Sequence, residues 1–386
     1  MKKELPMSGL CVIEIGHSLA APYAGMILAG LGARVVKIES PGKGDPARGW
    51  GPPFFDDAAI MFHAVNTGKE SVQLDLRYPA QADVLRNFIL TEGSVVLQNL
   101  KLGSLEKYGL GAQQLCAAKP SLIYCNLGAF GATGPLRHKP GYDPLVQAYS
   151  GMMKLVGNEG DAASRVPVSV NDMGTGLWAV IGILSAIMER EKTGEGTVVD
   201  VSLYETALAW MTVYLSDSLG GANPPGRLGS GNANIAPYQV FVCQDDSILV
   251  AAGNDYLFGQ LCECLGSPEL VQDPRFTSNG GRVTHRKVLI PILAERFRTA
   301  TATHWLESLE AIGVPCGPLQ SISDVLASPQ TEALNILQRI PDMDVTTVGL
   351  PLSFNGNRPA LPSKSPLLGE HTHLLTQNFN FPTRQT

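Results

Sequence analysis

An aspartate stands just before the most apolar segment of the chain. Asp172 lies in the run 166–176, VPVSVNDMGTG, and an almost wholly apolar helix is predicted after it, over 177–188, which we expect to be buried. In one interpretation Asp172 is an N-cap that accepts hydrogen bonds from the first free N–H groups of that helix. In the other it is catalytic, because such N–H groups could stabilise charge developing on an acyl oxygen, and Gly174 and Gly176 would let a ligand approach the backbone. The residues alone leave both interpretations open.

Other candidate ligand-binding side chains follow the ends of predicted strands. His17 comes after the first strand, where open α/β sheets bind ligands, although a polar loop residue is the simpler explanation. Six basic residues lie in loops after successive strands: Arg77, Lys101, Lys107, Arg137, His138 and Lys139. A solvated surface accounts for them, but they could hold phosphates if the loops converge. These residues indicate, at most, an α/β enzyme that could bind an anionic ligand.

The elements that must position these residues alternate between strand and helix over the first two hundred positions. Short, β-branched strands are predicted at 10–15, 34–39, 71–75, 95–97, 122–124 and 198–201. Helical patterns lie between them, for example over 20–31 and 79–91. Such alternation indicates a parallel sheet covered on both faces. The predicted fold class is therefore α/β, with a doubly wound, mostly parallel, Rossmann-like sheet.

The composition of the sequence and the pattern of its predicted elements change near residue 222. Turn-forming residues at 220–226 are followed by a predicted antiparallel hairpin, 238–242 with 248–252, and by helical patterns up to about 312. We therefore predict a small α+β domain over 222–325. The last sixty residues are rich in proline, which favours extended chain that wraps over other parts of the molecule.

Composition and missing motifs exclude several classes of protein. Charged residues make up 17% of the 386 positions and the net charge is −6, which argues against a disordered chain and against nucleic-acid or membrane partners. No dinucleotide fingerprint, Walker A motif or nucleophile elbow is present, which argues against dehydrogenases, NTPases and hydrolases. The seven cysteines lack zinc-site spacing, so we expect free thiols and no metal site. The N-terminal sequence resembles no signal or transit peptide, and the apolar run 177–188 is too short to span a bilayer, so a cytoplasmic location is expected.

A set of short motifs, in order along nearly the whole chain, resembles the class III CoA-transferases, the family of formyl-CoA transferase and carnitine CoA-transferase. The motifs in the first half are Gly16-His17, Leu31-Gly32-Ala33, Gly44-Asp45 with Arg48-Gly49-Trp50, and Asn66 with Lys69 and Ser71. Those in the second half are Asn171-Asp172 with Thr175-Gly176, Lys192-Thr193-Gly194 with Gly196, 313–318 (GVPCGP) and 366–372 (PLLGEHT). Each motif is short, but their number and order make the resemblance specific.

The resemblance implies an architecture and a set of contacts for CoA, which is a substrate and not a permanently bound cofactor. It implies a large α/β CoA-binding domain formed by both ends of the chain, 1–221 and 326–386, with 222–325 as the small domain. It also implies a homodimer of interlocked chains with the active site between them, in which Asp172 is the catalytic aspartate. The contacts implied for CoA are His17, Arg77, Asn99, Lys107 and Lys139. Arg77 and Lys107 match the family in charge and not in identity. Ser40 and Leu19 stand where relatives can carry polar or basic CoA contacts.

The chemistry implied is reversible transfer of CoA between carboxylic acids. The Asp172 carboxylate would attack the acyl-CoA, and the reaction would proceed through mixed anhydrides and an aspartyl-CoA thioester. The segment 227–232, RLGSGN, resembles the mobile glycine loop of the family, so Gly229 and Gly231 are expected to contact substrate and to exclude water.

The substrate prediction follows from the branch that the chain resembles most. Runs such as 49–54 and 235–239 look like the succinate–hydroxymethylglutarate branch, which implies succinyl-CoA or another dicarboxyl-CoA as donor. Arg48 is a candidate to bind the distal carboxylate of a dicarboxylic acceptor, because a guanidinium suits that group. An ion pair with Asp45 or Asp56 is the alternative for Arg48.

Two other functions remain open. The superfamily includes α-methylacyl-CoA racemases, which need an acid and a base on opposite faces of the α-carbon. The racemase histidine would precede Asp143, where this chain has Tyr142, which argues against that reaction. The other alternative is a CoA-binding protein without catalytic activity.

Overall fold

The computed structural model describes residues 4–223 and 226–376. Its strands are β1 (Cys11–Ile15), β2 (Arg34–Glu39), β3 (Phe54–Phe55), β4 (Ala58–Ala59), β5 (Lys69–Gln73), β6 (Val95–Gln98), β7 (Ile123–Gly128), β8 (Val198–Ser202), β9 (Tyr238–Val242), β10 (Ser247–Ala251), β11 (Cys316–Pro318), β12 (Leu337–Arg339) and β13 (Thr346–Val348). Its α-helices are α1 (Ala20–Gly30), α2 (Ile60–Asn66), α3 (Pro79–Thr91), α4 (Ala112–Ala118), α5 (Asp143–Ser150), α6 (Val170–Thr193), α7 (Leu203–Trp210), α8 (Thr212–Leu219), α9 (Asp255–Cys264), α10 (Asn279–Thr284), α11 (Arg286–Phe297), α12 (Ala302–Ala311), α13 (Ile322–Ala327), α14 (Pro329–Ala333) and α15 (His373–Thr376).

These elements form two compact units. The first comprises the described residues within Met1–Ser150, Val166–Val213 and Gln330–Thr386, and the second comprises those within Gly151–Arg165 and Tyr214–Pro329. The predicted small domain, 222–325, lies inside the second unit. That unit also contains Gly151–Arg165, which the division made from sequence assigns to the large domain.

A six-stranded parallel sheet organises the first unit, in the order β5-β2-β1-β6-β7-β8. Numbered along the chain within this sheet alone, the order is 3-2-1-4-5-6, which is that of doubly wound dinucleotide-binding folds. The direction of winding reverses between β1 and β6, and ligands bind such sheets at that reversal, beyond the carboxyl ends of the strands. The predicted α/β class with a parallel sheet is confirmed.

Both faces of this sheet are covered, because successive residues of each strand point to opposite sides. On one face Val12 and Val95 pack with α1 and α6, through residues such as Ile27 and Ile183. On the other face Ile13, Val36 and Val96 pack against α3 and α4, through residues such as Leu85 and Leu115. The inner strands β1, β2, β6 and β7 are therefore buried on both sides, which explains their largely apolar sequences.

Helix α6 is the long core helix of this unit and differs from its prediction in two ways. It begins at Val170 and runs for 24 residues to Thr193, so it is long and apolar enough to cross a membrane by length and composition. Residues such as Ala179 and Ile183 pack it into the sheet core together with α1. The expectation of a wholly buried helix is wrong, since Leu177 and Ile181 are 43% and 51% exposed.

The chain returns to this sheet near its described end and covers the edge strand β5. The Ser71 N–H donates to His371 Nδ1 (3.2 Å), and the His371 N–H donates to the Ser71 carbonyl (2.8 Å). The Gln73 N–H donates to Thr372 Oγ1 (3.0 Å). Leu375 then joins the core on the α3 face. This course agrees with a Pro-rich end that wraps over the rest of the chain, and it protects an otherwise open sheet edge.

The second unit contains a three-stranded antiparallel sheet, in the order β11-β10-β9. Strands β9 and β10 form the predicted hairpin. Their inner residues pack against α9, α11 and α12, with Phe241 stacked on Phe297 at 4.5 Å between ring centroids and Trp305 edge-on to Phe297 at 5.5 Å.

Candidate active site

Two cavities open in the first unit at the carboxyl ends of the parallel strands. The first, of about 270 Å³, is lined by Asp172 and by the loops that follow β1, β6 and β7. The second, of about 420 Å³, lies beyond β2 and β5 and is lined by Ser40, Arg77 and Tyr108. The two share His17 and Leu100 as lining residues, so they meet at the reversal point between β1 and β6.

Asp172 lies in the first turn of α6, with its side chain partly buried at the first cavity. The N-cap interpretation of this residue is wrong, because the helix begins earlier than predicted and Ser169 occupies the N-cap position. No donor among residues 4–223 and 226–376 forms a hydrogen bond to the Asp172 carboxylate. The carboxylate is therefore free to react with a molecule in the cavity.

The N–H groups at the start of α6 are instead capped by Asp143, from α5. Asp143 Oδ2 accepts from the Asn171 N–H (2.6 Å) and from the Asp172 N–H (3.2 Å). The Asp143 side chain is 1% exposed, and its Oδ1 accepts from Gln147 Nε2 (2.5 Å). This contact was not predicted from the sequence, in which Asp143 and Asn171 are 28 residues apart.

Burial and the neighbouring Asp143 charge raise the pKa of Asp172 to about 7. Both effects disfavour a carboxylate, because burial removes solvating water and a like charge repels it. Near neutral pH Asp172 is therefore partly ionised, and its carboxylate is more basic than that of a solvated aspartate. Raised basicity is useful in a nucleophile.

His17 is held by the side chain of Asn99. Asn99 Oδ1 accepts from the His17 N–H (3.0 Å), and Asn99 Nδ2 donates to the His17 carbonyl (2.8 Å). Burial lowers the pKa of His17, which keeps the imidazole neutral at physiological pH. Gly16 is needed beside them, since a Cβ there would lie 2.6 Å from Ala21 Cβ. Asn99 thus positions the loop between the two cavities and also lines the first.

The structure places four of the six predicted basic residues on the wall of the first cavity, which Asp172 also lines (the Asp172 cavity). They are Lys101, Arg137, His138 and Lys139. Lys139 donates a hydrogen bond to Tyr149 Oη. Arg77 lines the second cavity, exposed and paired with Asp75 (2.7 Å), whereas Lys107 lines neither. Lys107 Nζ lies 4.7 Å from the ring centroid of Tyr108, a residue of the second cavity.

A network of buried charges, which was not predicted from the sequence, underlies the loops after β1 and β2. Lys37 Nζ contacts Glu14 Oε1 (2.8 Å) and Asp45 Oδ2 (2.9 Å), and Lys69 Nζ contacts Glu14 Oε2 (2.7 Å). Burial alone would lower the pKa of Lys37, but these carboxylates outweigh it and raise that pKa. Asp45 Oδ1 also accepts from the Ser18 N–H (2.9 Å). The network therefore fixes the backbone next to His17.

Arg48 belongs to this network and does not line either cavity. Its Nη2 donates to Glu39 Oε1 (2.7 Å) and its Nε donates to Glu39 Oε2 (2.9 Å). Its guanidinium carbon lies 3.9 Å from the ring centroid of Phe62. The alternative ion pair predicted for Arg48, with Asp45 or Asp56, is corrected, because its carboxylate partner is Glu39.

The glycines singled out from the sequence serve the packing of the chain. A Cβ on Gly176 would lie 2.9 Å from the Ala20 carbonyl oxygen, and one on Gly174 would lie 2.6 Å from the Trp210 ring, so both glycines allow close packing of α6. Gly229 has a φ of +59° and donates its N–H to the Gly157 carbonyl within the second unit (2.9 Å). Gly231 donates to the Leu228 carbonyl (2.8 Å).

Within residues 4–223 and 226–376, no group of three or more His, Cys, Asp or Glu side chains is placed to hold a metal ion. The seven cysteines are free thiols.

Comparisons with known proteins agree on one family. The sequence model of CoA-transferase family III matches residues 7–372. An acetyl-CoA:oxalate CoA-transferase of Acetobacter aceti is 36% identical over 383 residues, which cover 99% of this chain and 97% of that protein. A succinate–glutarate CoA-transferase of Agrobacterium fabrum is 36% identical over 375 residues, covering 95% and 94%. Among solved structures, a CAIB/BAIF family protein from Brucella suis superposes with a TM-score of 0.84 at 38% identity, covering 97% and 99%.

Proposed function

The chain belongs to CoA-transferase family III, and from this premise we propose that it transfers CoA from succinyl-CoA, or another dicarboxyl-CoA, to a carboxylic acid, with Asp172 as nucleophile. The observation that carries the proposal is the Asp172 carboxylate, which lines the first cavity without a hydrogen-bond donor from the described residues and has its pKa raised to about 7. Such a group is basic enough to attack a thioester and ionised enough to do so near neutral pH.

The reaction proceeds through four attacks on carbonyl carbons. An Asp172 oxygen attacks the acyl-CoA carbonyl and displaces CoA thiolate, which leaves a mixed anhydride. The thiolate attacks the aspartyl carbonyl and expels the donor acid as a carboxylate. This second attack forms a thioester between Asp172 and CoA. The acceptor carboxylate attacks the carbonyl of this aspartyl thioester, releases the thiolate and forms a second anhydride. The thiolate then attacks the acceptor's acyl carbon, which yields the new acyl-CoA and restores the Asp172 carboxylate.

The two adjacent cavities, which share His17 and Leu100 as lining residues, suit a long substrate such as acyl-CoA. We place the nucleotide end beyond β2 and β5, where Arg77 lines the second cavity and Lys107 lies beside Tyr108. The thioester end lies in the first cavity, where Lys139 and Asp172 face it. Asn99 holds the backbone of His17, a residue that lines both cavities. Basic side chains at one end and a reactive carboxylate at the other match the charge distribution of the substrate.

A dicarboxylic substrate needs a cation for its second carboxylate. The names of two relatives include oxalate and glutarate, which are dicarboxylates. Since Glu39 already pairs with Arg48, we assign this role to Lys101 and Arg137 on the wall of the Asp172 cavity. Neither of these two cations forms an ion pair with a residue of the described chain.

Self-association and the glycine loop complete the proposal. Leu177, Ile181 and Met188 leave an apolar stripe on α6 between 43% and 61% exposed, which supports a homodimer with α6 at the interface. Interlocking of the two chains, a lid role for Gly229 and Gly231, and a cytoplasmic location are proposed from the family resemblance and the sequence.

The decisive experiment mixes the protein with succinyl-CoA and a panel of carboxylic acids and follows acyl-CoA species by mass spectrometry. We expect a new acyl-CoA with the wild type and a loss of rate of at least about 10³-fold with Asp172→Ala, because the covalent route is removed. Asp200→Ala is the matched control, since Asp200 lines the same cavity and is not assigned to the covalent step. Exchange that persists in Asp172→Ala would refute the proposal.

The same protein discriminates the two alternatives. Exchange of the α-proton in deuterated buffer, without an acceptor acid, would indicate a racemase. Binding of CoA without exchange across the whole panel would indicate a protein that has no transferase activity.

A further inference from the structure

The N-terminus of α6 is occupied by a second carboxylate. Asp143 Oδ2 accepts from the N–H groups of Asn171 (2.6 Å) and Asp172 (3.2 Å), although Asp143 belongs to α5. The formal N-cap residue, Ser169, makes no capping hydrogen bond through its side chain. Asp143 thus supplies the cap that the helix would otherwise lack.

This arrangement changes what the helix terminus does to Asp172. Free N–H groups at a helix start stabilise a nearby carboxylate, which lowers its basicity and weakens it as a nucleophile. Here the N–H groups of Asn171 and of Asp172 itself already donate to the Asp143 carboxylate. A second negative charge therefore stands where the helix would otherwise present partial positive charge.

We propose that Asp143 is a positioning residue that fixes the turn carrying Asp172 and keeps the Asp172 carboxylate reactive by opposing its negative charge. The inference rests on the proposed function, in which Asp172 is the nucleophile. When Asp172 becomes an anhydride or a thioester its negative charge disappears, and so does the repulsion from Asp143. The acylated enzyme is thereby favoured relative to the free carboxylate.

Asp143 is held firmly enough to act in this way. Its side chain is 1% exposed, and Oδ1 accepts from Gln147 Nε2 (2.5 Å). Gln147 is itself fully buried. Its Oε1 accepts from the Val166 N–H (2.8 Å), and its Nε2 also donates to the Val166 carbonyl (3.2 Å). Water therefore cannot easily screen the charge of Asp143 from its neighbour.

Other charged or titratable groups reach the same cavity from four other parts of the unit. They are His17 after β1, Lys101 after β6, Asp200 on β8, and Arg137, His138, Lys139 and Tyr142 in the loop before α5. The lysines and Arg137 are exposed, so solvent and salt screen their effect on Asp172. Besides burial, the Asp143 charge is the cause of the raised pKa of Asp172.

The test is the pH profile of kcat/KM for Asp143→Asn, which keeps an acceptor for the two N–H groups and removes the charge. Wild-type kcat/KM falls below a pH of about 7, because protonated Asp172 cannot attack. In Asp143→Asn we expect this acidic limb to move to lower pH by about one unit or more, and the plateau to fall at least about tenfold. Asp143→Glu, which restores the charge, is expected to return the limb toward its wild-type position.

Gln147→Leu is the structural control. The amide introduced by Asp143→Asn would face Gln147 Nε2 with an NH₂ group, so some loss of stability is expected from that variant itself. Gln147→Leu disturbs the same helix contact but keeps the Asp143 charge, so its melting temperature should fall while its acidic limb stays within about 0.3 pH units of the wild type. A limb that moves equally in Gln147→Leu would overturn the proposal.

A direct titration separates this inference from the transferase proposal. The carboxyl infrared difference between the wild type and Asp172→Asn reports the protonation of Asp172 without turnover. Its midpoint should fall in Asp143→Asn, or in Asp143→Ser if the first variant does not fold. An unchanged midpoint in a folded, neutral variant refutes the role of Asp143 even if exchange depends on Asp172. Exchange that survives Asp172→Ala refutes the transferase mechanism, whatever the midpoint does.

Discussion

Asp172 lies where it could react with a ligand, in an environment that disfavours its ionised form. Its carboxylate is partly buried, faces a cavity and lies next to the buried carboxylate of Asp143. Burial and the neighbouring Asp143 charge both disfavour the ionised form of Asp172 in the folded protein relative to the unfolded chain. A residue kept reactive in this way reduces the stability of the fold.

The stability of the protein should therefore depend on Asp172 and on pH. The folded-state pKa of about 7 exceeds the ordinary value of 3.8, so this group costs stability progressively as the pH rises between these two values and by a constant amount above them. We expect Asp172→Asn to raise the free energy of unfolding by roughly 2 kcal/mol at pH 8, a figure reduced for partial exposure, and to change it little at pH 4. Urea unfolding of both proteins at the two pH values measures this difference. Equal stability at pH 8 would contradict it.

The sequence was sufficient to propose Asp172 as a candidate nucleophile, but it did not indicate the neighbouring carboxylate of Asp143. The local motif of Asn171-Asp172 and the following glycines is visible in one stretch of chain. Asp143 is 28 residues away from Asn171, and a capping residue is normally expected at the helix start itself. Only the packing of α5 beside α6 brings the two carboxylates together.

At the level of elements, α6 shows how packing can override local preference. Glycine and threonine in 174–176 disfavour a helix, which is why the sequence predicts its start only at 177. In the structure these same residues are buried, and the glycines admit α1 and the Trp210 ring at close range. By contrast, most strands of the parallel sheet were predictable, because they are short runs rich in β-branched residues and bounded by turn residues. Strand β5 (Lys69–Gln73, KESVQ) is the exception and begins two residues before its predicted range of 71–75.

Gly176→Ala should disturb the contact between α1 and α6. The added Cβ would lie 2.9 Å from the Ala20 carbonyl oxygen and 3.1 Å from Tyr23 Cδ1, so one of the two helices must shift. We expect a loss of stability of about 1–3 kcal/mol, despite the better helix propensity of alanine. Ser185→Ala, at an exposed position of the same helix, is the control and should be neutral or slightly stabilising. Thermal unfolding of the two variants measures the effect, and equal melting temperatures would show that the contact is tolerant.

Across the whole molecule, the buried charges illustrate a limit of sequence reasoning. Glu14 and Lys37 are register partners on β1 and β2, and Lys69 comes from the next strand, β5. Charged residues within otherwise apolar strands were a signal that such a network exists. Their pairing follows from the strand order and register, which single-sequence patterns do not supply.

The oligomeric state can be tested on the exposed face of α6. If the apolar stripe of Leu177, Ile181 and Met188 contacts a second copy, Ile181→Glu would bury an unpaired charge there. We expect light scattering to show a dimer for the wild type and a shift toward monomer, by at least about tenfold in dissociation constant, for the variant. Arg86→Glu, a charge change on the exposed side of α3, should leave the mass unchanged. A monomeric wild type would refute the proposed dimer.

The return of the chain to β5 has a consequence for its synthesis. The second unit ends at Pro329, whereas the first needs contacts such as Ser71 with His371, which are 300 residues apart. A ribosome builds the chain from the N-terminus, so the second unit is complete in sequence while the sheet of the first still has an uncovered edge. Until the final segment emerges, that edge is available to other strands. We therefore expect β5, one of the earlier strands to be synthesised, to need protection by a chaperone for a longer time than the other strands of the sheet.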